Sequence, residues 1–367
     1  MSSGSKIEWT DATYNPVVGC SPVSPGCENC YAARIAVRLG GNPATPQYEG
    51  TARSTPAGAR WTGTVNFVPA MLDRPLRWQK PRRIFVNSMS DTFHPDVSFA
   101  QIVAILGVAL ACPLHTMQLL TKRPERAVEF YGWISERGGL GKYIRSDEGA
   151  EALRPIFHHF DATHYETVYG RWQRTQAHPW MKVINAAACE VSTVAPHNVW
   201  LGVSVEDQPT ADERIPHLLQ CPAAVRWVSY EPALGPLELS RLHQHCPTHD
   251  FAGGFCSSPC PDLRSIDWLV AGGESGPGAR PAHPQWFRDV RDQCAAAGVA
   301  FFFKQWGAWA PAVPGVNGAQ TRYVNMTPAD AGSFAWPMNR VGKKAAGRLL
   351  DGREHNEFPN LNDPEAR

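Results

Sequence analysis

The stretch Ile84-Phe85-Val86-Asn87-Ser88-Met89-Ser90-Asp91, followed from Ser98-Phe99-Ala100-Gln101 by an apolar run to Ala111, decides how this chain is read. Its first four residues are short, apolar and β-rich, as in a strand buried on both faces. Ser98 and Gln101 stand three apart before the apolar run, which is a capping-box pattern opening a helix. Thr116-Met117-Gln118-Leu119-Leu120 then reads as a second strand. The same beat continues outward. A helix is predicted from Pro124 to about Trp133 and a strand at Val199–Val203. A helix capped by Thr210 and Glu213 runs through Leu218, and strands follow at Val225–Val228 and Trp268–Ala271. Pro284 begins a helix that Gly298 ends, and Ala300-Phe301-Phe302-Phe303 closes the series. Strand–helix alternation of this kind predicts an α/β fold with a parallel sheet, a partial or full parallel βα barrel.

Two segments interrupt the beat. Residues 134–196 form a polar, partly helical insertion, and residues 241–265 form a Cys/His-rich loop where a helix is expected. The chain therefore divides into a first barrel half (1–133), the insertion (134–196), a second half (197–309) and a C-terminal extension (310–367). With 35 basic and 34 acidic residues, the chain has no global charge that would draw it to nucleic acid or membrane. The N-terminus lacks an apolar signal core, and no apolar run approaches the roughly 20 residues of a membrane span. Ten cysteines without a secretion signal point to reduced thiols, a cytoplasmic location and metal ligation rather than a disulfide framework. The 13 tryptophans are read chiefly as packing.

Parallel α/β folds bind ligands at the carboxyl ends of their strands. Here those ends carry Asn87-Ser88-Met89-Ser90-Asp91, Lys122-Arg123, Ser204 with Glu206, Glu231, Gly273-Glu274 and Lys304-Gln305. Six polar ends on one face describe one concave site. The alternative for its carboxylates is an internal ion-pair network with Lys122 and Lys304. Near the N-terminus, Cys20, Cys27 and Cys30 form a C-x6-C-x2-C cluster, placed between a first short strand and a helix from Tyr31 to Leu39. Three thiolates can hold three irons of a 4Fe–4S cluster and leave the fourth open. A zinc knuckle is the competing reading.

These residues resemble the radical S-adenosylmethionine (SAM) superfamily, and more specifically a phage-borne family named after numbered phage gene products. The resemblance runs from Lys6-Ile7-Glu8-Trp9-Thr10 to Leu350-Asp351-Gly352-Arg353. It includes Leu120-Thr121-Lys122-Arg123-Pro124, Leu201–Glu206, Gly272–Pro277 and Phe303-Lys304-Gln305-Trp306-Gly307. Six residues separate the first two cysteines, where the widespread superfamily motif has three, and Asn29 replaces the usual aromatic. Ser90-Asp91 and Thr121-Lys122 are also similar to strand-end motifs of the spore photoproduct lyase branch, which repairs a thymine lesion in DNA.

The resemblance implies a radical-SAM-like barrel with a 4Fe–4S cluster on Cys20, Cys27 and Cys30, and SAM chelated at the open iron. Reductive cleavage of SAM would give a radical that abstracts hydrogen from substrate. It implies that Asn87, Ser88, Ser90, Asp91, Ser204 and Glu206 bind cofactor. Lys122 would face the SAM carboxylate, and Glu231, Glu274 and Lys304 would stand nearer substrate. Expected partners are a DNA, RNA or nucleotide substrate, an electron donor and a partner protein. Cys246, His249, Cys256 and Cys260 are spaced as two ligand pairs for Zn²⁺, with a second iron–sulfur cluster or no metal as alternatives. The rival function is a zinc-stabilised nucleic-acid-binding or host-interaction protein without catalysis.

Overall fold

Seven strands form one sheet whose spatial order follows the chain: β1 (Ala12–Tyr14), β2 (Arg83–Val86), β3 (Thr116–Thr121), β4 (Val199–Val205), β5 (Val225–Tyr230), β6 (Trp268–Gly272) and β7 (Ala300–Gln305). Every neighbouring pair is parallel, and the sheet curls into a half-barrel. This is a computed structural model that describes residue 5 and residues 7–168, 179–240, 265–312, 320–327 and 335–360, with the side chains of 160–168 left aside. The α/β alternation and the parallel sheet match the sequence reading.

Helices α1 (Tyr31–Gly40), α2 (Phe99–Leu110), α3 (Pro124–Glu136), α4 (Leu140–Ile144), α5 (Asp147–Val168), α6 (Pro179–Cys189), α7 (Gln208–Gln220) and α8 (Pro284–Ala297) fill the crossovers. The Ser98–Gln101 capping box opens α2 as expected. At α7 the cap differs: Asp207, not Thr210, is the N-cap residue, and Thr210 answers it from the third helical position. The insertion also differs from its polar appearance. Ile102 through Leu110 of α2 are all buried, because α4, α5 and α6 cover the helix face that the sheet does not. Leu140, Tyr143, Ile144, Leu153, Phe157, Val183 and Ala187 supply that cover. A helix apolar all round needs apolar neighbours all round.

Strand residues alternate between the two faces of the sheet. Ile84, Val86, Leu201, Val203, Val228, Leu269, Phe301 and Phe303 join the main core beneath the helices. Phe85, Trp200, Trp227, Trp268, Val270 and Phe302 point to the other side and gather around Trp9, which precedes β1. Trp9 lies 4.8 Å from Phe85 and 5.2 Å from Trp227, ring centre to ring centre. These aromatics form a floor at the amino-terminal side of the half-barrel. Gly202 of β4 has no side chain because the Trp227 ring lies across it; a Cβ there would stand 2.4 Å from the indole.

The C-terminal segment covers the exposed edge of β7. Phe303 N donates to His355 O, and Phe302 bridges to Asn356. Phe358 then packs on Trp268 and Phe302 while the Arg83 guanidinium of β2 lies 4.2 Å from its ring. One short segment thus covers part of the β7 edge and reaches β2 across the curled sheet, which blunts that edge for pairing with another chain. A three-stranded antiparallel sheet (Trp309–Pro311, Thr321–Val324 and Trp336–Arg340) sits beside it. No helix among the described residues is long and apolar enough to cross a membrane.

Candidate functional site

The loop carrying Cys20, Cys27 and Cys30 leaves β1 and enters α1, with Cys30 as the residue that caps α1. It includes a single 3-10 turn, Pro25–Cys27. Cys20 and Cys30 pack against a small apolar cluster that includes Val18, Ala33, Ala36 and Trp61, and polar contacts tie the loop to the strand ends beneath it. Ser21 Oγ meets His94 Nε2 at 2.8 Å and accepts from Arg123 Nη2 at 3.0 Å. Ser24 Oγ donates to Glu206 Oε1 at 2.9 Å. Asn29 Nδ2 donates to Glu274 Oε2 at 3.1 Å and to Gly278 O at 2.9 Å. Glu28 pairs with Arg280 at 2.9 Å, and Tyr31 Oη donates to Ser88 O at 3.0 Å. The loop is therefore tied across the carboxyl ends of β2, β3, β4 and β6, the face on which the sequence placed the site.

Below the loop, the end of β2 is a tight turn. Asn87 adopts φ 57°, accepts from Val17 N at Oδ1 and donates to Thr92 from Nδ2. Ser88 Oγ donates to Asn15 Oδ1 at 3.1 Å. Asp91 is buried and takes four donors: Phe93 N, Thr121 Oγ1, Lys122 N and Arg123 Nη1, the last at 3.0 Å. With both oxygens occupied, Asp91 aligns the β3 end and aims Arg123 at the cysteine loop. Ser90 Oγ is buried here without a partner.

The remaining strand ends are paired charges. Glu206, fully buried, holds Lys122 on one side and Arg214 of α7 at 3.2 Å on the other. Ser204 is buried in the same corner, and its carbonyl accepts from Arg214 at 2.7 Å. Across the sheet, Lys304 Nζ lies 2.9 and 2.8 Å from the two Glu231 oxygens, and Gln305 Nε2 adds a donor at 3.1 Å. Gln305 Oε1 is buried and unpartnered. Glu274 takes Arg280 at 2.6 Å. Of the ion pairs with Lys122 and Lys304, those of Glu206 and Glu231 are present, whereas Glu274 and Asp91 pair with Arg280 and Arg123. Each charged end-residue is neutralised by another, so the cost of enclosing it is offset locally.

The thiols differ in their surroundings. Burial and the nearby Asp91 carboxylate push Cys20 up to about 12, against the pull of Arg123, whose Nη1 lies 3.8 Å from Cys20 Sγ. Burial also works against a Cys27 thiolate. The Lys122 charge and the hydrogen bonds of Val23 and Ser24 outweigh it and set Cys27 below its ordinary value. Among the described residues, no three His, Cys, Asp or Glu side chains are drawn together closely enough to hold a metal ion. Cys112, Cys221 and Cys294 are buried thiols whose values burial raises to about 12, in keeping with a packing role. Cys246, His249, Cys256 and Cys260 lie outside the described residues.

Sequence reasoning missed Arg214 and Arg280, the two arginines that complete the mouth, as well as Ser24, Asn29, Tyr31 and His94. Arg214 had a signal: an arginine at the α7 position whose neighbours Ala211, Ile215 and Leu218 are all apolar. Arg280 lies in a Gly- and Pro-rich loop and had none.

The family described as Protein of unknown function (DUF5131) matches residues 4–359, and the chain belongs to it. No curated protein and no solved structure matches the chain.

Proposed function

We propose that this DUF5131 chain is an iron–sulfur enzyme of the radical SAM type acting on a nucleic acid or nucleotide. Cys20, Cys27 and Cys30 would hold the cluster. One observation carries the reading. The three-cysteine loop is bolted over the carboxyl ends of a parallel half-barrel, with Lys122 beside Cys27 and Arg123 beside Cys20. Three thiolates in a partly enclosed loop are an anionic group; the Lys122 charge favours the Cys27 thiolate, and Arg123 pulls the same way at Cys20, where burial and Asp91 outweigh it. The donor set therefore fits the cluster in its chemistry. Two orphaned buried polar atoms at the mouth, Ser90 Oγ and Gln305 Oε1, leave hydrogen-bonding capacity for a polar ligand such as SAM. When bound, the cluster and SAM supply one-electron chemistry that the protein's own side chains lack.

The chain's residues have separable tasks in this reading. Asp91 orients Arg123 and the backbone of Lys122 and acts as a positioning residue. Asn87 and Ser88 hold the β2 turn in shape. Glu206 keeps Lys122 at the rim of the cysteine loop, with Ser204 behind it. Lys304 on Glu231 and Arg280 on Glu274 stand across the mouth, where substrate would be oriented and a proton held at Lys304 Nζ. The aromatic floor closes the other end of the half-barrel to water, which a reactive intermediate requires.

The test is anaerobic. Purified and reconstituted protein is expected to be brown, with the visible absorbance of an iron–sulfur cluster, and to cleave SAM when dithionite is supplied. Cys27→Ala should lose both properties. A colourless protein that binds zinc at these cysteines and leaves SAM intact would refute the assignment.

A further inference from the structure

Around the mouth, cations fall into two sets. The inner ones all meet carboxylates: Lys122 and Arg214 on Glu206, Arg123 on Asp91, Lys304 on Glu231, and Arg280 on Glu274 and Glu28. The outer ones do not. Arg34 of α1 donates to the backbone of Ser275 at 3.4 Å, and Arg340 donates to the carbonyls of Gly276, at 3.2 Å, and Pro277. Both guanidinium groups thus flank one loop, the one that follows β6. Arg38 is exposed one turn beyond Arg34 on α1. Arg322 shares the Trp309 ring with Arg340, at 5.5 and 5.9 Å. None of these four pairs with a carboxylate among the described residues.

The arrangement is directional. On α1, Tyr31, Arg34 and Arg38 follow at intervals of three and four, so they form one stripe on the helix face turned away from buried Ala32, Ala33 and Ala36. Tyr31 begins the stripe at the mouth, where its hydroxyl touches Ser88 O while its side chain remains 41% exposed. The stripe then runs outward past Arg34 to Arg38, with Arg340 alongside. By contrast, Arg77 before β2 meets Asp73, and Arg83 at the start of β2 meets Asp11. A chain of formal net charge +1 therefore keeps a local row of un-neutralised arginines leading to one aromatic ring at its site.

We propose that this row is a docking track for a single-stranded nucleic acid. Arg34, Arg38, Arg322 and Arg340 take backbone phosphates, and Tyr31 stacks on a base at the mouth. The chemistry is that of single-strand binders, in which guanidinium groups track the backbone and an aromatic face accepts any base. The proposal rests on the mouth being the reaction site. It narrows the substrate from nucleic acid or nucleotide to a polymer presented single-stranded.

The experiment measures binding of a fluorescent 20-nucleotide single strand to the full chain without SAM or reductant, over a salt series. Arg38→Ala with Arg322→Ala is expected to weaken binding roughly tenfold at about 50 mM salt and to reduce the log–log salt slope by about 1.4, at about 0.7 per lost phosphate contact. Tyr31→Ala should weaken binding roughly tenfold without changing that slope, and Tyr31→Phe should restore it. Lys80→Ala, on the exposed far part of the β1–β2 connection, should change neither. An unchanged affinity and slope in the double variant overturns the proposal. Equal binding of polyglutamate overturns it in favour of an acidic protein partner. Strand binding is read without SAM or reductant, so wild-type protein that binds the strand with this salt slope but fails to cleave SAM separates failure of the enzymatic reading from failure of the track.

Discussion

The same seven strands build two unlike layers. At the amino-terminal side their inward residues are Phe85, Trp200, Trp227, Trp268 and Phe302 around Trp9. At the carboxyl ends they are Asp91, Lys122, Glu206, Glu231, Glu274 and Lys304. The floor is held by shape, with rings in tilted and edge-on contact. The mouth is held by charge matched to charge. A ring removed from the floor leaves a void that its rigid neighbours fill poorly. A carboxylate removed from the mouth leaves a cation enclosed without a partner. The floor therefore supplies stability and closure, whereas the mouth consumes stability to keep charges where a ligand can meet them.

The largest effect should come from the floor. Trp227→Ala removes a fully buried indole at the centre of the cluster. Urea denaturation should show a loss of about 3–5 kcal/mol; a loss under 1 would mean the floor is not the stabilising layer. Next comes the mouth. Glu206→Gln strands Lys122 and Arg214 together, with an expected loss of about 3 kcal/mol. Adding Lys122→Met should recover part of that loss, since one stranded charge is gone. A double variant no better than the single one would break the charge-matching account. Gly202→Ala, which drives a methyl into the Trp227 ring, should cost about 1–3 kcal/mol. It tests whether the floor is as tightly packed as the ring contacts indicate.

The smallest effect lies at the lower rim, where Asp11 joins β1 to Arg83 of β2. Burial raises the Asp11 carboxyl, but the Arg83 backbone and guanidinium outweigh it and hold the value below normal. A folded value below the unfolded one gives stability that is present above the ordinary aspartate range, about 3.9. It is lost as pH falls through the folded value. Thermal melts should thus show wild type slightly above Asp11→Asn near neutral pH and the gap closing in acid. The pair is half exposed, so the gap is small. A gap that widens in acid would reverse the assignment.

Much of this was legible in the chain. Period and caps place β2, α2 and β3 because a buried strand and a capped apolar helix each have a local signature. The polar ends Lys122, Glu206, Glu231, Glu274 and Lys304 were legible for the same reason: each follows a readable strand. Their pairing was not. Nothing local to Glu206 names Lys122, and nothing local to Asn29 names Glu274, because these partners meet only when segments distant in the chain lie side by side. The insertion misled for a related reason. Its overall polarity hid a sparse set of apolar residues that is sufficient to cover α2.

The sequence by itself determined the alternation of strands and helices, the three-cysteine loop ahead of α1, and a row of polar residues at strand ends. These follow from spacing and from the conformations short segments prefer. Only the tertiary structure decided which carboxylate neutralises which cation, that the C-terminal segment covers β7 and reaches Arg83, and that the row Tyr31, Arg34, Arg38 and Arg340 leads to the mouth with its charge unspent. Those outcomes depend on the curl of the sheet, which brings together residues whose mutual energies no local stretch of chain contains.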